Sequence, residues 1–289
     1  MTTDTGTRVR EIHVDEITKT VAQLCETATH VLPDDVVAGL RRAEETEKSP
    51  LGKQVLIELL ENVDISKREM IPLCQDTGTT VVMAEVGQDV HIVGGSLRDA
   101  INAGVGKGYT EGYLRASIVE RPFSARVNTK NNTPAVIHTE IVPGDKLRLT
   151  VVPKGGGCEN MTKFQVMLPG RGKEGITEFV LQTIEESGGN PCPPLVVGVG
   201  VGGSSEYAMY LAKKAITRPV GEHSPDEETA QFERELLEKV NALGVGPQAV
   251  GGSNTALAVN IETYPTHITS LPVAVNLQCH SARSKHAEL

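Results

Sequence analysis

Apolar residues recur at three- and four-residue steps near the start of the chain. Val14, Ile17, Val21, Leu24, Ala28 and Val31 fall on one helical face. Ser49-Pro50 sets a capping hydroxyl before a proline at the first helical position. Leu51, Val55, Leu59 and Val63 carry the pattern on as a second helix. From Thr79 the pattern changes. Thr79–Met83 reads as a strand and residues 97–117 as a helix. The alternating stretches 135–142 and 146–152 read as paired strands around Pro143-Gly144-Asp145.

Further on, Ile176, Phe179, Val180 and Ile184 mark a helix that Gly188-Gly189 ends. Leu195–Val199 reads as a strand, followed by a glycine-rich turn and a helix over 206–216. Ser224-Pro225 is the expected cap of a last long helix carrying Phe232, Leu236, Val240 and Leu243. Strands are expected near 256–259 and 273–277. Neither a low-complexity linker nor a repeat interrupts the chain. The pattern predicts one mixed α/β domain over 1–289, mainly helical over 1–70, then a sheet with flanking helices.

Composition narrows the function. With 37 acidic against 28 basic residues the net charge is −9, and aromatics make up 3%. Neither a basic stripe nor a stacking platform for nucleic acid is present. No apolar run nears the roughly 18 residues that span a bilayer, and Met1-Thr2-Thr3-Asp4 has no secretory pattern. A cytoplasmic location, where thiols stay reduced, is the expectation. The five cysteines then read as metal-binding, catalytic or packing residues rather than a disulfide framework.

Three cysteines stand beside turn signals: Cys74 in Cys74-Gln75-Asp76-Thr77-Gly78, Cys192 in Pro191-Cys192-Pro193-Pro194, and Cys279 in Gln278-Cys279-His280-Ser281. Thiolates there suit a metal centre closed by folding, with Asp76 placed to handle a proton. The short paired spacings of structural zinc are missing. Cys25 sits on the first apolar stripe, as a small buried hydrophobe does. Cys158, in Gly155-Gly156-Gly157-Cys158, is either a fourth ligand or a small residue lining a turn. That glycine run itself is either a surface turn or a set of bare amides for an anion. Gly198, Gly200 and Gly203 have dinucleotide-fingerprint spacing, the basis of a rival NAD(P)-dependent oxidoreductase reading. The expected acid at the end of a following strand is missing.

The Cys74–Thr79 motif, the run Lys154–Asn160, Cys192-Pro193-Pro194 leading to Gly202-Gly203-Ser204, and His267 with Cys279-His280-Ser281-Ala282 occur in that order. Together they resemble the α subunit, or N-terminal half, of class I fumarate hydratases. L(+)-tartrate dehydratase and mesaconate hydratase share that family. The resemblance implies cluster-binding loops in which Cys74, Cys192 and Cys279 hold a [4Fe-4S] cluster. It further implies that Gln75, Arg115 and Gly157 meet a small dicarboxylate, and that Asp76 and His267 are catalytic. Cys158 departs from the serine or alanine expected there. The implied reaction is reversible hydration, fumarate to (S)-malate first, with tartrate or mesaconate chemistry as the alternative. The half that supplies further catalytic groups in the single-chain form is missing here, so a separate β subunit in a heterotetramer is implied.

Overall fold

The structure is a computed structural model that describes residues 9–289. Strand β1 (Arg10–His13) leads into helices α1 (Val14–His30), α2 (Asp34–Thr46) and α3 (Pro50–Glu69). Next come β2 (Thr79–Gly87), β3 (Val90–Val93), α4 (Leu97–Glu111), β4 (Val119–Glu120), β5 (Val127–Asn128), β6 (Val136–Val142) and β7 (Leu147–Lys154). The short α5 (Gly156–Glu159) precedes β8 (Lys163–Met167), α6 (Gly172–Ser187), β9 (Leu195–Gly202) and α7 (Ser205–Ala215). The last elements are α8 (Glu227–Ala242), β10 (Ala256–Tyr264), β11 (Leu271–Gln278) and β12 (Lys285–Glu288). This is the mixed α/β class that the periodicities predict. Among the described residues no helix is long and apolar enough to cross a membrane.

Two compact units emerge. The first contains residues through Val31, Met70–Lys154 and Arg283–Leu289. Its main sheet has the order β12-β7-β2-β6. Val81, Val82, Met83 and Ala84 are all buried, so β2 is apolar on both faces and takes the centre. It runs antiparallel to β7, with Thr79 opposite Lys154, and parallel to β6, with Val81 opposite Val136. The expected hairpin between residues 135–142 and 146–152 is therefore corrected: β2 lies between the two strands. β6 has no buried residue and suits an edge, whereas the turn at Pro143-Gly144-Asp145 leads across β2. Helices α1 and α4 cover this sheet, burying Ile17, Val21, Ile101 and Val105 with Val82, Leu149 and Val151.

The second unit contains Leu32–Glu69 and Gly155–Ala282, around a sheet of order β10-β9-β11-β8. Val197 and Val199 of β9 face Val180, Ile184, Leu236 and Val240 of α6 and α8. The alternate residues Gly198 and Gly200 face α7. A Cβ on Gly198 would lie 2.2 Å from the Ala212 carbonyl oxygen, and one on Gly200 2.0 Å from that of Ala208. These glycines lie inside the strand and let the helix close on it. The fingerprint spacing thus serves packing, and the oxidoreductase reading loses its motif.

Local signals mostly match. The Ser49 hydroxyl accepts the Gly52 N–H at 3.2 Å, capping α3 as expected. On α8 the cap moves from Ser224 to Asp226, whose carboxylate accepts the Thr229 N–H at 2.9 Å. The sequence pattern passed over α2. Its end is fixed by Glu47, a buried carboxylate that accepts N–H groups from Lys48, Ser49, Ser253 and Asn254. Burial alone pushes its pKa up. The hydrogen bonds from Ser49, Ser253 and Asn254 outweigh that and bring it down to about 2.

Candidate active site

In the first unit the functional side chains belong to the turn entering β2. Leu73 is buried and its N–H donates to the Thr29 carbonyl at 3.1 Å, which anchors the turn's start. Cys74 is half-buried, its Sγ 3.7 Å from Gln75 Oε1, and Gln75 itself is exposed. Asp76 Oδ1 accepts the Gly78 N–H at 3.0 Å, closing an Asx turn. Gly78 has φ +79°, and a Cβ there would stand 2.6 Å from the Lys154 carbonyl oxygen. Only glycine fits this point.

Three side chains that the motifs did not single out hold the same turn. Tyr109 donates to the Thr77 carbonyl at 2.6 Å. Asn132 donates to that of Gly78 at 3.0 Å. Arg283 donates from Nη2 to that of Asp76 at 2.9 Å. Asn132 also accepts the Ser117 N–H at 2.7 Å, and the Thr77 hydroxyl donates to the Arg115 carbonyl at 2.9 Å. Gln75, Asp76 and the exposed Arg115 are thereby brought onto one braced assembly. Burial raises the Tyr109 phenol well above its usual range, so it stays a donor. The pair Asn131-Asn132 before Thr133-Pro134 was the available turn signal, and Tyr109 stands on the buried face of α4.

In the second unit Cys192 and Cys279 stand on adjoining turns. Cys192 takes φ +54°, a backbone conformation uncommon for a residue with a side chain. Its carbonyl accepts the His280 N–H at 3.1 Å and lies 3.1 Å from His280 Nδ1. Gln248 completes the brace, donating from its backbone N–H at 2.8 Å and Nε2 at 2.7 Å to the Pro193 carbonyl. Cys279 Sγ lies 3.0 Å from the Ser281 hydroxyl. Gly157 approaches the same region, since a Cβ on it would stand 2.9 Å from the Asn190 carbonyl oxygen. His267 lies apart on the loop between β10 and β11. It is exposed, and its Nδ1 accepts the Thr269 N–H at 3.2 Å, which puts the proton of the neutral ring on Nε2.

The five thiols divide by environment. Cys74, Cys192 and Cys279 are half-buried, whereas Cys25 and Cys158 are buried. Burial, helped by Glu26, pushes the Cys25 thiol up to about 12, which removes it from thiolate chemistry. Cys158 turns its Sγ to the Gly155 carbonyl at 3.3 Å and to Gln278 Oε1 at 3.7 Å. Among the described residues no three His, Cys, Asp or Glu side chains gather as one metal ion would require. An iron–sulfur cluster makes a different demand, one thiolate on each of several irons. Cys192 and Cys279, half-buried on stitched turns of the second unit, and Cys74, half-buried on a braced turn of the first, are each thiols of the kind such a cluster takes.

Comparison with known sequences agrees with this chemistry. The sequence model of the fumarate hydratase (Fumerase) family matches residues 18–288. The chain belongs to that family, whose reaction is that of a hydro-lyase. It is similar to a Methanocaldococcus jannaschii protein provisionally named L(+)-tartrate dehydratase subunit alpha. Identity there is 39% over 275 residues, covering 93% of this chain and 95% of that protein. L(+)-tartrate dehydratase subunit alpha of Escherichia coli strain UTI89 is 34% identical, and that of strain K12 is 33% identical. Each match covers 93% of this chain and 89% of the relative.

Proposed function

We propose that this chain is the α subunit of a [4Fe-4S] hydro-lyase acting on a small dicarboxylate. The observation that carries the reading is the partition of the thiols within a member of this family. Cys74, Cys192 and Cys279 would hold the cluster, and Cys25 and Cys158 would not. When bound, the cluster supplies a Lewis acid for the substrate's hydroxyl group.

The chain's own residues do the rest. Arg115 and Gln75 bind and orient a carboxylate, and the Gly157 amide is assigned to the substrate by the family resemblance alone. Adding or removing water moves a proton at a carbon next to a carboxylate. Asp76, with Oδ1 fixed by the Gly78 N–H, and His267, with its proton on Nε2, are the groups assigned to that transfer. Fixed groups aimed at developing charge are often the largest contribution to such catalysis.

On substrate the resemblance pointed first to fumarate and (S)-malate. The names of the relatives give weight to the alternative, L(+)-tartrate, whose dehydration uses the same bond changes with one further hydroxyl group. We take L(+)-tartrate as the first substrate to assay and fumarate as the second. The relatives are named as α subunits, so a β subunit is proposed as partner, in an α₂β₂ assembly because closed two-fold symmetry is the commonest kind.

The test is anaerobic co-expression with a β subunit, cluster reconstitution, and iron and sulfide analysis of single Cys→Ser variants. Cys74, Cys192 and Cys279 variants should each lose cluster content, while Cys25 and Cys158 variants keep it. Full content in Cys192→Ser, or its loss in Cys158→Ser, would overturn the ligand set. Comparing kcat/KM for L(+)-tartrate, fumarate and mesaconate then ranks the substrates. Turnover of none of them by the loaded complex would overturn the function.

A further inference from the structure

We propose that the β4–β5 hairpin is an arm that docks on the outer face of α3 in a second copy of this chain. The inference rests on the α₂β₂ reading and names the contact between its two α chains. β4 and β5 form a two-stranded sheet of their own, with Val119 opposite Asn128 and Glu120 opposite Val127. Two strands without a third are marginal alone in water. The root of this hairpin is nonetheless fixed. Thr129 donates its N–H to the Ile118 carbonyl at 3.0 Å, and Asn128 Nδ2 donates to the Ala116 carbonyl at 2.9 Å. The Arg126 guanidinium ties the tip to the Pro122 carbonyl at 2.6 Å. Every residue from 120 to 128 is exposed, Phe123 at 94%. Arg121, Arg126 and Lys130 flank it in sequence against the single acid Glu120. Among the described residues none of these three cations is in an ion pair. Aromatic rings and arginines are enriched where proteins meet, and here they are held out on a stapled arm.

The same chain carries a matching face. α3 buries Gly52, Leu56, Val63 and Ser66 along one side. Helical spacing turns Leu51, Ile57, Glu58, Glu61 and Asp64 to the other side, and all five are exposed. Among the described residues α3 is the one helix that exposes two large apolar side chains. Its three outward acids follow one another at three-residue steps, where like charges repel. None of them is in an ion pair among the described residues. An aromatic ring flanked by cations suits an apolar stripe lined with acids. Both surfaces are exposed in the single chain, whose net charge is −9, so a second copy is the partner that this charge pattern specifies. A closed two-fold pair lets each copy give its arm and receive the other's.

The test is sedimentation velocity on the full chain over a range of concentrations, with thermal melts to confirm that each variant folds. Wild type should dimerise. Phe123→Ser, and the pair Arg121→Glu with Arg126→Glu, should each weaken the dimer about tenfold or more. The reversal Glu58→Lys with Glu61→Lys should weaken it as much. Combining the arm reversal with the α3 reversal restores opposite charges across the contact and should recover the wild-type affinity to within about threefold. A wild type that stays monomeric would overturn the proposal, as would a dimer indifferent to the arm variants. Failure of the combined reversals to recover affinity would remove α3 as the receiving face and overturn it too. Arm variants that keep the dimer but lose a co-expressed β subunit would assign the arm to that subunit instead. Failure of the hydro-lyase reading looks different: no turnover of L(+)-tartrate or fumarate by the loaded complex, with the arm-dependent dimer intact.

Discussion

Glu47 shows how much one buried carboxylate can hold. Its folded pKa, about 2, lies below its ordinary value of 4.5. A depressed acid contributes stability that is present above its unfolded pKa and lost as pH falls through the folded one. The contribution should amount to about 3 kcal/mol at neutral pH and fade between roughly pH 4.5 and pH 2. Glu47→Gln should therefore be clearly less stable than wild type in urea at neutral pH. Near pH 3 the gap should narrow, and a constant gap would contradict this account. Gly78→Ala meets both a left-handed φ and the Lys154 backbone, so it should cost about 1–3 kcal/mol or more and displace Asp76. Thermal melts and substrate KM would report the two effects separately. At this scale the cysteine motifs were legible because thiols beside turns carry chemistry in their identity. The braces were not. Tyr109, Asn132, Gln248 and Arg283 act through contacts far along the chain, which no local spacing encodes.

Elements were legible where periodicity was strong and hidden where pairing decided. The helices around Ile17 and Leu236 follow from apolar steps, and β9 from its valines. The position of β2 between β6 and β7 was hidden, because a turn between adjacent strands reads as a hairpin until burial on both faces of β2 is known. The short edge strand β12, Lys285-His286-Ala287-Glu288, carries too few apolar residues to announce itself. The glycines of β9 yield a prediction at this scale. Gly200→Ala would drive a methyl group into the α7 backbone and should destabilise the protein by about 3 kcal/mol or more. NADH should fail to bind wild type, because the glycines are already occupied by a helix. Saturable NADH binding that Gly200→Ala abolishes while the fold survives would restore the rival reading.

At the scale of the whole molecule, sequence resemblance was most informative and local pattern least. The match over residues 18–288 defines the family, whereas the division of the described residues into two compact units could not be read from composition. The first unit is assembled from three separate stretches of chain, and no composition change marks where they part. The proposed β subunit gives the prediction that belongs here. Hydro-lyase activity should appear when the chain is produced with its partner and co-elute with both on sizing. Full turnover from this chain alone would sink that expectation.

The position of β12 has a consequence for biosynthesis. During translation β7 leaves the ribosome long before Lys285 does, with the whole run Gly155–Ala282 made in between. The edge of β7 must therefore wait, without its outer neighbour, while the remainder of the second unit is synthesised. Pairing across so wide a sequence gap is slow in principle, and a waiting edge is exposed to wrong partners. Arg283 arrives by the same late step. The guanidinium that grips the Asp76 turn is thus put in place only after the run Gly155–Ala282 has been made, and a nascent chain stalled before it would carry that turn without its clasp.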